Sequence, residues 1–224
     1  MKNNIDIRTI KNRYTYEEYK NLNARLAEEG KTSGPVQSGV LIEFTKLNMY
    51  RLFRVDKTMV VKNDVRRLIE TISEKKYWVL ITEAWCGDAA QTVPIIGNLA
   101  KLNDNIELLV ILRDENPQIM DKYLTNGTAK SIPVLISLNE KFEEEWHWGP
   151  RPKPAQAMVM GNKEAINPLP SDELKKNLQL WYAEDKTFTT QEEISSLILK
   201  SYAEKNDSMK DVKQIEKQSS EFVN

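Results

Sequence analysis

Three short apolar runs, residues 77–82, 106–112 and 132–136, constrain this chain more than any other feature. Each is rich in β-branched or aromatic residues and too short to be a buried helix. Near-continuous apolar strands need cover on both faces. The intervening segments supply it. Over residues 89–102, Val93, Ile96 and Ala100 form an inner helical stripe that Ile95, Leu99 and Leu102 widen. Asn116-Pro117 predicts a short helix with Asn116 as N-cap, and Asn126-Gly127 turns the chain behind it. Asn139-Glu140 marks another turn. Residues 142–148 then alternate large apolar with polar side chains, as a strand with one exposed face does. Upstream, Asn63 reads as the N-cap of a helix with Asp64 in its first turn and Val65, Leu68, Ile69 and Ile72 on one side. The order helix, strand, helix, strand, helix, strand, strand is that of an α/β core.

The flanks are helical in pattern. Tyr16, Tyr19, Leu22 and Leu26 recur at helical spacing over residues 14–29 before Gly30, and 31–35 is a loop. A second helix is expected over 38–55, with Leu41, Phe44, Leu47 and Leu52 on its apolar side. Beyond the core, residues 155–165 predict a short helix that Asn167-Pro168-Leu169-Pro170 breaks. Ser171 then caps a helix carrying Leu174, Leu178 and Trp181. Thr190-Gln191-Glu192-Glu193 reads as a capping box opening a last helix with Ile194, Leu197, Ile198 and Tyr202. Residues 206–224 are almost all polar and read as a frayed tail. The expected organisation is an N-terminal helical extension (1–62), the core (63–150), a C-terminal helical cap (151–205) and the tail (206–224).

Charge excludes one function class. The 32 Lys and Arg are matched by 33 Asp and Glu, interspersed along the chain, so the clustered basic face of a nucleic-acid binder is missing. The start lacks the apolar run of a secretory signal, and no stretch is long enough to span a bilayer. A cytoplasmic protein without membrane contact is expected. His147 is the single histidine and Cys86 the single cysteine, which excludes a histidine and cysteine zinc cluster and any internal disulfide. No metal and no cofactor is expected.

That one cysteine stands in Trp85-Cys86-Gly87-Asp88-Ala89, where the first apolar strand meets the following helix. Open N–H groups at a helix start favour thiolate by about 0.3 to 2 kcal/mol. A carboxylate at Asp88, about 6 Å away, opposes it by roughly 0.7 to 2.8 kcal/mol for effective dielectrics of 80 to 20. The two effects are expected to be nearly balanced. Asp88 is otherwise read as a first-turn acid that complements the helix dipole. Arg151 and Lys153 fall near the same end of the sheet, as partners of an anionic thiol or as solvated charges.

In these motifs the chain resembles the thioredoxin family, whose signature is an aromatic-Cys-x-x-Cys turn, a helix-kinking proline five residues after the second cysteine, and a cis-proline before a later strand. Trp85 and Cys86 match the turn, Pro94 stands five residues after Ala89, Ile132-Pro133 resembles the cis-proline dipeptide, and Gly149 matches the glycine after the last hairpin. The resemblance implies a thioredoxin-like α/β fold: a central mixed sheet flanked by helices, here with helical extensions at both ends. It also implies Cys86 as the catalytic thiol, with Trp85, Gly87, Asp88, Ala89, Pro94, Ile132, Pro133 and Gly149 forming the motif and groove. Two departures bear on activity. Ala89 replaces the second cysteine, and Leu80 stands where the family keeps a buried acid. The resemblance then implies either a monothiol oxidoreductase, with Cys86 forming mixed disulfides with a protein or low-molecular-weight thiol, or a redox-inactive binding module using the groove beside Pro133. A peroxidase ranks lower, because Glu83 and Ala84 precede the cysteine where a peroxiredoxin has threonine and proline.

Overall fold

A computed structural model describes residues 5–221, with side chains described through 205 and at 207. Strand β2 (Lys76–Thr82) runs through the middle of a five-stranded sheet. It pairs in parallel with β3 (Ile106–Leu112), Leu80 opposite Val110, and antiparallel with β4 (Val134–Leu138), Leu80 opposite Leu135. Strand β5 (Glu144–Trp148) continues the sheet beyond β4, and the two-residue β1 (Arg13–Tyr14) closes the other edge against β3, giving the order β1-β3-β2-β4-β5. A parallel neighbour requires a crossover, which α4 (Ala89–Ala100) provides. Val79, Leu80 and Ile81 are fully buried, as a strand covered on both faces must be.

The cover comes from both ends of the chain. Helices α1 (Tyr16–Glu28), α2 (Gly39–Thr58), α3 (Asn63–Glu70) and α8 (Phe188–Glu221) contribute Tyr19, Leu52, Ile69 and Ile194 to the same core as the sheet and α4. Each such side chain contributes about 1.5 to 3 kcal/mol by leaving water. Gly97 on α4 lets α1 approach: a Cβ there would lie 2.6 Å from the Tyr16 ring. After the short α5 (Pro117–Met120) and the β4–β5 hairpin, α6 (Lys153–Glu164) and α7 (Ser171–Asp185) pack on each other around a second, small cluster of Ala155, Leu178 and Tyr182.

Several expected element starts move, in most cases because a side chain has a stronger partner than the one inferred. Tyr14 belongs to β1, and α1 begins at Tyr16 because Thr15 and Glu18 form a reciprocal capping box. Asn63 is the first residue of α3 and makes no side-chain cap; Lys62 precedes it and donates its N–H to Gln191 Oε1 at 3.0 Å. Asn116 precedes α5 but turns its side chain to the N-terminal segment, accepting from Lys11 N at 2.8 Å. The third apolar strand starts at Val134, two residues later than expected, because Ile132-Pro133 approaches it as a cis peptide. Ser171 is inside α7 behind Pro170. Helix α8 starts at Phe188, with the Asp185 carboxylate accepting from Thr189 N. The inferred capping box at Thr190 is not formed, since Glu193 instead accepts from Trp148 Nε1 and Lys153 N, both at 2.7 Å. The backbone of α8 continues through Glu221 where a frayed tail was expected. The side chains of 206 and 208–221, and residues 222–224 entirely, lie outside the described residues.

Candidate functional site

Between the end of β2 at Thr82 and the start of α4 at Ala89 the chain turns through Glu83-Ala84-Trp85-Cys86-Gly87-Asp88. The N-terminal segment holds that turn. Ala84 donates its N–H to Ser33 Oγ at 2.8 Å, and its carbonyl accepts from Asn48 Nδ2 at 3.3 Å. The half-buried Trp85 ring lies under the Arg113 guanidinium, 4.7 Å from centroid to carbon. Cys86 is buried and its Sγ–H donates to the Ile132 carbonyl at 3.3 Å. Gly149 closes the arrangement: its φ is +129°, and a Cβ there would meet Pro133 O at 2.3 Å, so only glycine allows this approach. Cys86, Ile132, Pro133 and Gly149 are thus brought together from three separate segments. Ala89 is buried as the first residue of α4, and Pro94 is buried within the body of that helix.

Burial decides the electrostatics of the thiol. Removal from water, reinforced by the Asp88 charge, pushes the Cys86 thiol up to about 12, against the N–H groups of Ala89 and Asp88 and the Arg151 charge. The expected near-balance between Asp88 and the helix start omitted desolvation, and desolvation is the largest effect. Asp88 itself makes no cap bond to α4. Its carboxylate pairs with Arg151 Nη2 at 2.8 Å and accepts from Tyr182 Oη at 3.1 Å, so it ties α7 and the segment after β5 to the motif. Burial raises its pKa, opposed by the Arg151 charge.

A second buried acid lies three residues before the cysteine. Glu83 is fully buried; its carboxyl accepts from Asp114 N at 2.9 Å and bonds Ser33 Oγ. Desolvation pushes it up to about 7, against those hydrogen bonds. The thioredoxin-type acid position at Leu80 is apolar and buried, while an acid exists one strand-end further on.

A groove of about 810 Å³ opens over the motif, lined by Trp85 to Asp88, Ile132 and Arg151 together with Phe44 and Arg51 of α2 and Leu174 and Gln179 of α7. Arg151, read from sequence as a partner of an anionic thiol or a solvated charge, pairs with Asp88; Lys153 uses its backbone N–H on Glu193. Trp146 and Trp148 are buried in the sheet, and His147 pairs through Nδ1 with Glu144 at 2.7 Å and packs edge-on to Tyr123. Sequence reasoning missed Ser33, Asn48, Arg51, Tyr182 and the role of Glu83. Only Glu83 left a signal, as the one charge between the apolar strand and the motif.

A thioredoxin family model matches residues 34–173. The chain belongs to the thioredoxin family. Membership agrees with the mixed sheet flanked by helices and with one cysteine at the family's motif position. Two solved structures share the fold. One is a 1.5 Å crystal structure of a protein of unknown function from Pseudomonas aeruginosa, 16% identical, covering 84% of this chain and 99% of that one with a TM-score of 0.55. The other is an HIV epitope-scaffold, also 16% identical, covering 78% and 96% with a TM-score of 0.51. No curated protein matches the sequence. Among the described residues, no helix is long and apolar enough to cross a membrane.

Proposed function

We propose that this thioredoxin-family chain is a binding protein, in which the groove over Cys86 and Ile132 holds a ligand without disulfide chemistry. The observation that carries the reading is the state of the thiol: Cys86 is buried, hydrogen-bonded as a donor to Ile132 O, and pushed up to about 12. A thiol that is not ionised is neither an effective nucleophile nor a good leaving group. The replacement of the second cysteine by Ala89 supports the same conclusion. In this reading residues 63–150 form the core unit, and the extensions 1–62 and 151–205 wall the groove.

The test is the reactivity of Cys86. With a pKa of 12 about one thiol in 10⁴ is ionised at pH 8, against about a quarter for a free cysteine of pKa near 8.5. Ellman's reagent should therefore label the native protein about two orders of magnitude more slowly than free cysteine, the higher intrinsic nucleophilicity of a high-pKa thiolate offsetting part of the lost ionisation. Labelling at the free rate, with an apparent pKa at or below 8.5, overturns the reading. One observation favours a second reading, the monothiol oxidoreductase: Cys86 is among the residues lining the groove. Its signature is a mixed disulfide seen as a mass increase after incubation with a small disulfide and absent from Cys86→Ser.

A further inference from the structure

The binding reading leaves the ligand unnamed, and the distribution of charge around the groove narrows it. Six cations line the cleft, Arg51, Arg113, Lys130, Arg151, Lys175 and Lys176, against two carboxylates, Asp88 and Asp172. Four of the six have partners. Arg151 pairs with Asp88 at 2.8 Å, Arg113 with Asp114 at 2.8 Å, Lys130 with Asp121 at 2.6 Å and Lys175 with Asp172 at 3.2 Å. Arg51 and Lys176 form no ion pair among the described residues. Arg51 is half-buried on α2, and its Nη1 donates to a neutral acceptor, Asn48 Oδ1, at 2.9 Å. Burial together with the Arg54 charge lowers its pKa, and Asp88, the carboxylate that opposes this, is already paired with Arg151.

A second set of donors converges on the same place. Gln179 of α7 accepts from Gln91 Nε2 through its Oε1 at 2.7 Å, which leaves its Nε2 for the cleft. A Cβ on Gly87 would lie 3.5 Å from Gln179 Nε2 and 3.7 Å from Arg51 Nη1, so both donors face the bare backbone of the motif. Arg151 Nε, also at the cleft, is buried with no hydrogen-bond partner among the described residues. The remaining walls are mostly apolar, with Trp85, Phe44 and Leu174 among them, and the volume is that of a small-molecule pocket.

Resting on the binding reading above, we propose that the groove takes a small organic anion, its carboxylate or phosphate seated by Arg51 and Gln179 beside Gly87 and its apolar body against Trp85 and Phe44. The seat belongs to α2 and α7, the two helices outside the strand–turn–helix unit that carries the cysteine. An anion supplies the direct ion pair that Arg51 does not form among the described residues and an acceptor for Gln179 Nε2. An apolar tail displaces water from the aromatic wall.

Calorimetric titration of the full chain with octanoate, octyl phosphate and octanol tests this. Octanoate and octyl phosphate are expected to bind at least about 10-fold more tightly than octanol, since only they form charge-assisted hydrogen bonds with the seat. Whichever of the two anions binds better identifies the headgroup. Arg51→Gln should weaken both by about 10-fold and leave octanol unchanged, while Arg66→Gln, exposed on α3, should change nothing. An unfolding midpoint of Arg51→Gln within a few degrees of wild type shows that the fold is intact. Equal binding of octanol and octanoate, or insensitivity to Arg51→Gln, overturns the anion seat and leaves the binding reading standing. Absence of binding by all three probes overturns the seat as well. The binding reading falls separately, to rapid labelling of Cys86.

Discussion

Replacing Glu83 by glutamine should remove a specific part of the pH dependence of stability. Glu83 has a folded value of about 7 against 4.5 for an unperturbed carboxyl, because it is sealed between the Ser33 loop and the β3 end at Asp114. Its folded value lies above its unfolded value, so between pH 4.5 and 7 the folded state holds the proton more tightly than the unfolded chain. Protonation therefore favours folding, and stability declines as pH rises through this window and then levels off. Each factor of ten in proton affinity is worth about 1.36 kcal/mol. The penalty on the wild type is then about 1 kcal/mol at pH 5 and about 3 kcal/mol at pH 8. Glutamine keeps an acceptor for Asp114 N and gains a donor for Ser33 Oγ, so Glu83→Gln mimics the protonated acid without titrating. Urea unfolding of both proteins at pH 5, 6, 7 and 8 measures the difference. The variant should gain about 2 to 3 kcal/mol on the wild type between pH 5 and pH 8, with the midpoint of the gain falling inside the window. A stability difference independent of pH would refute the claim that burial holds this proton.

The other expectations are local. Asp88→Ala removes the acceptor of Arg151 and Tyr182 and should cost about 1 to 3 kcal/mol by urea unfolding, with Cys86 labelled faster because an opposing charge is gone; slower labelling would contradict the assigned cause. Gly149→Ala forces a side chain into Pro133 O at a positive φ and should cost about 2 to 4 kcal/mol, whereas a change below about 0.5 kcal/mol would show that the hairpin end moves freely. Ser33→Ala deletes a hydroxyl that accepts from Ala84 N and bonds Glu83. It should cost about 1 to 3 kcal/mol and raise the Glu83 value further, seen as an upward shift of the pH window described above.

The core strands and the helix between β2 and β3 were legible because burial writes itself as periodicity. The runs at 77–82 and 106–112 correspond to Lys76–Thr82 and Ile106–Leu112. Pro133 and Gly149 were read only through the resemblance to the thioredoxin family; the structure has a cis bond before Pro133 and a φ of +129° at Gly149. Caps were less so. Ser171 and Thr190 have the right chemistry for helix starts, yet Thr190 is buried inside α8 and Glu193 is recruited by Trp148. A polar side chain takes the best partner in space, and sequence shows only its neighbours along the chain.

By itself, then, the sequence determined the α/β order, the position of Cys86 at a strand–helix junction and the loss of the second sulfur at Ala89. The first two follow from local residue types and their spacing, and the third from the resemblance to the thioredoxin family. The chemical state of the site was decided only in three dimensions. Burial pushes the Cys86 thiol up because distant segments close over it, Asp88 is a tie to Arg151 and Tyr182 because the segment after β5 and α7 fold back on the motif, and burial raises Glu83 against its hydrogen bonds to Ser33 and Asp114. Desolvation depends on everything that surrounds a group, and that is a property of the fold.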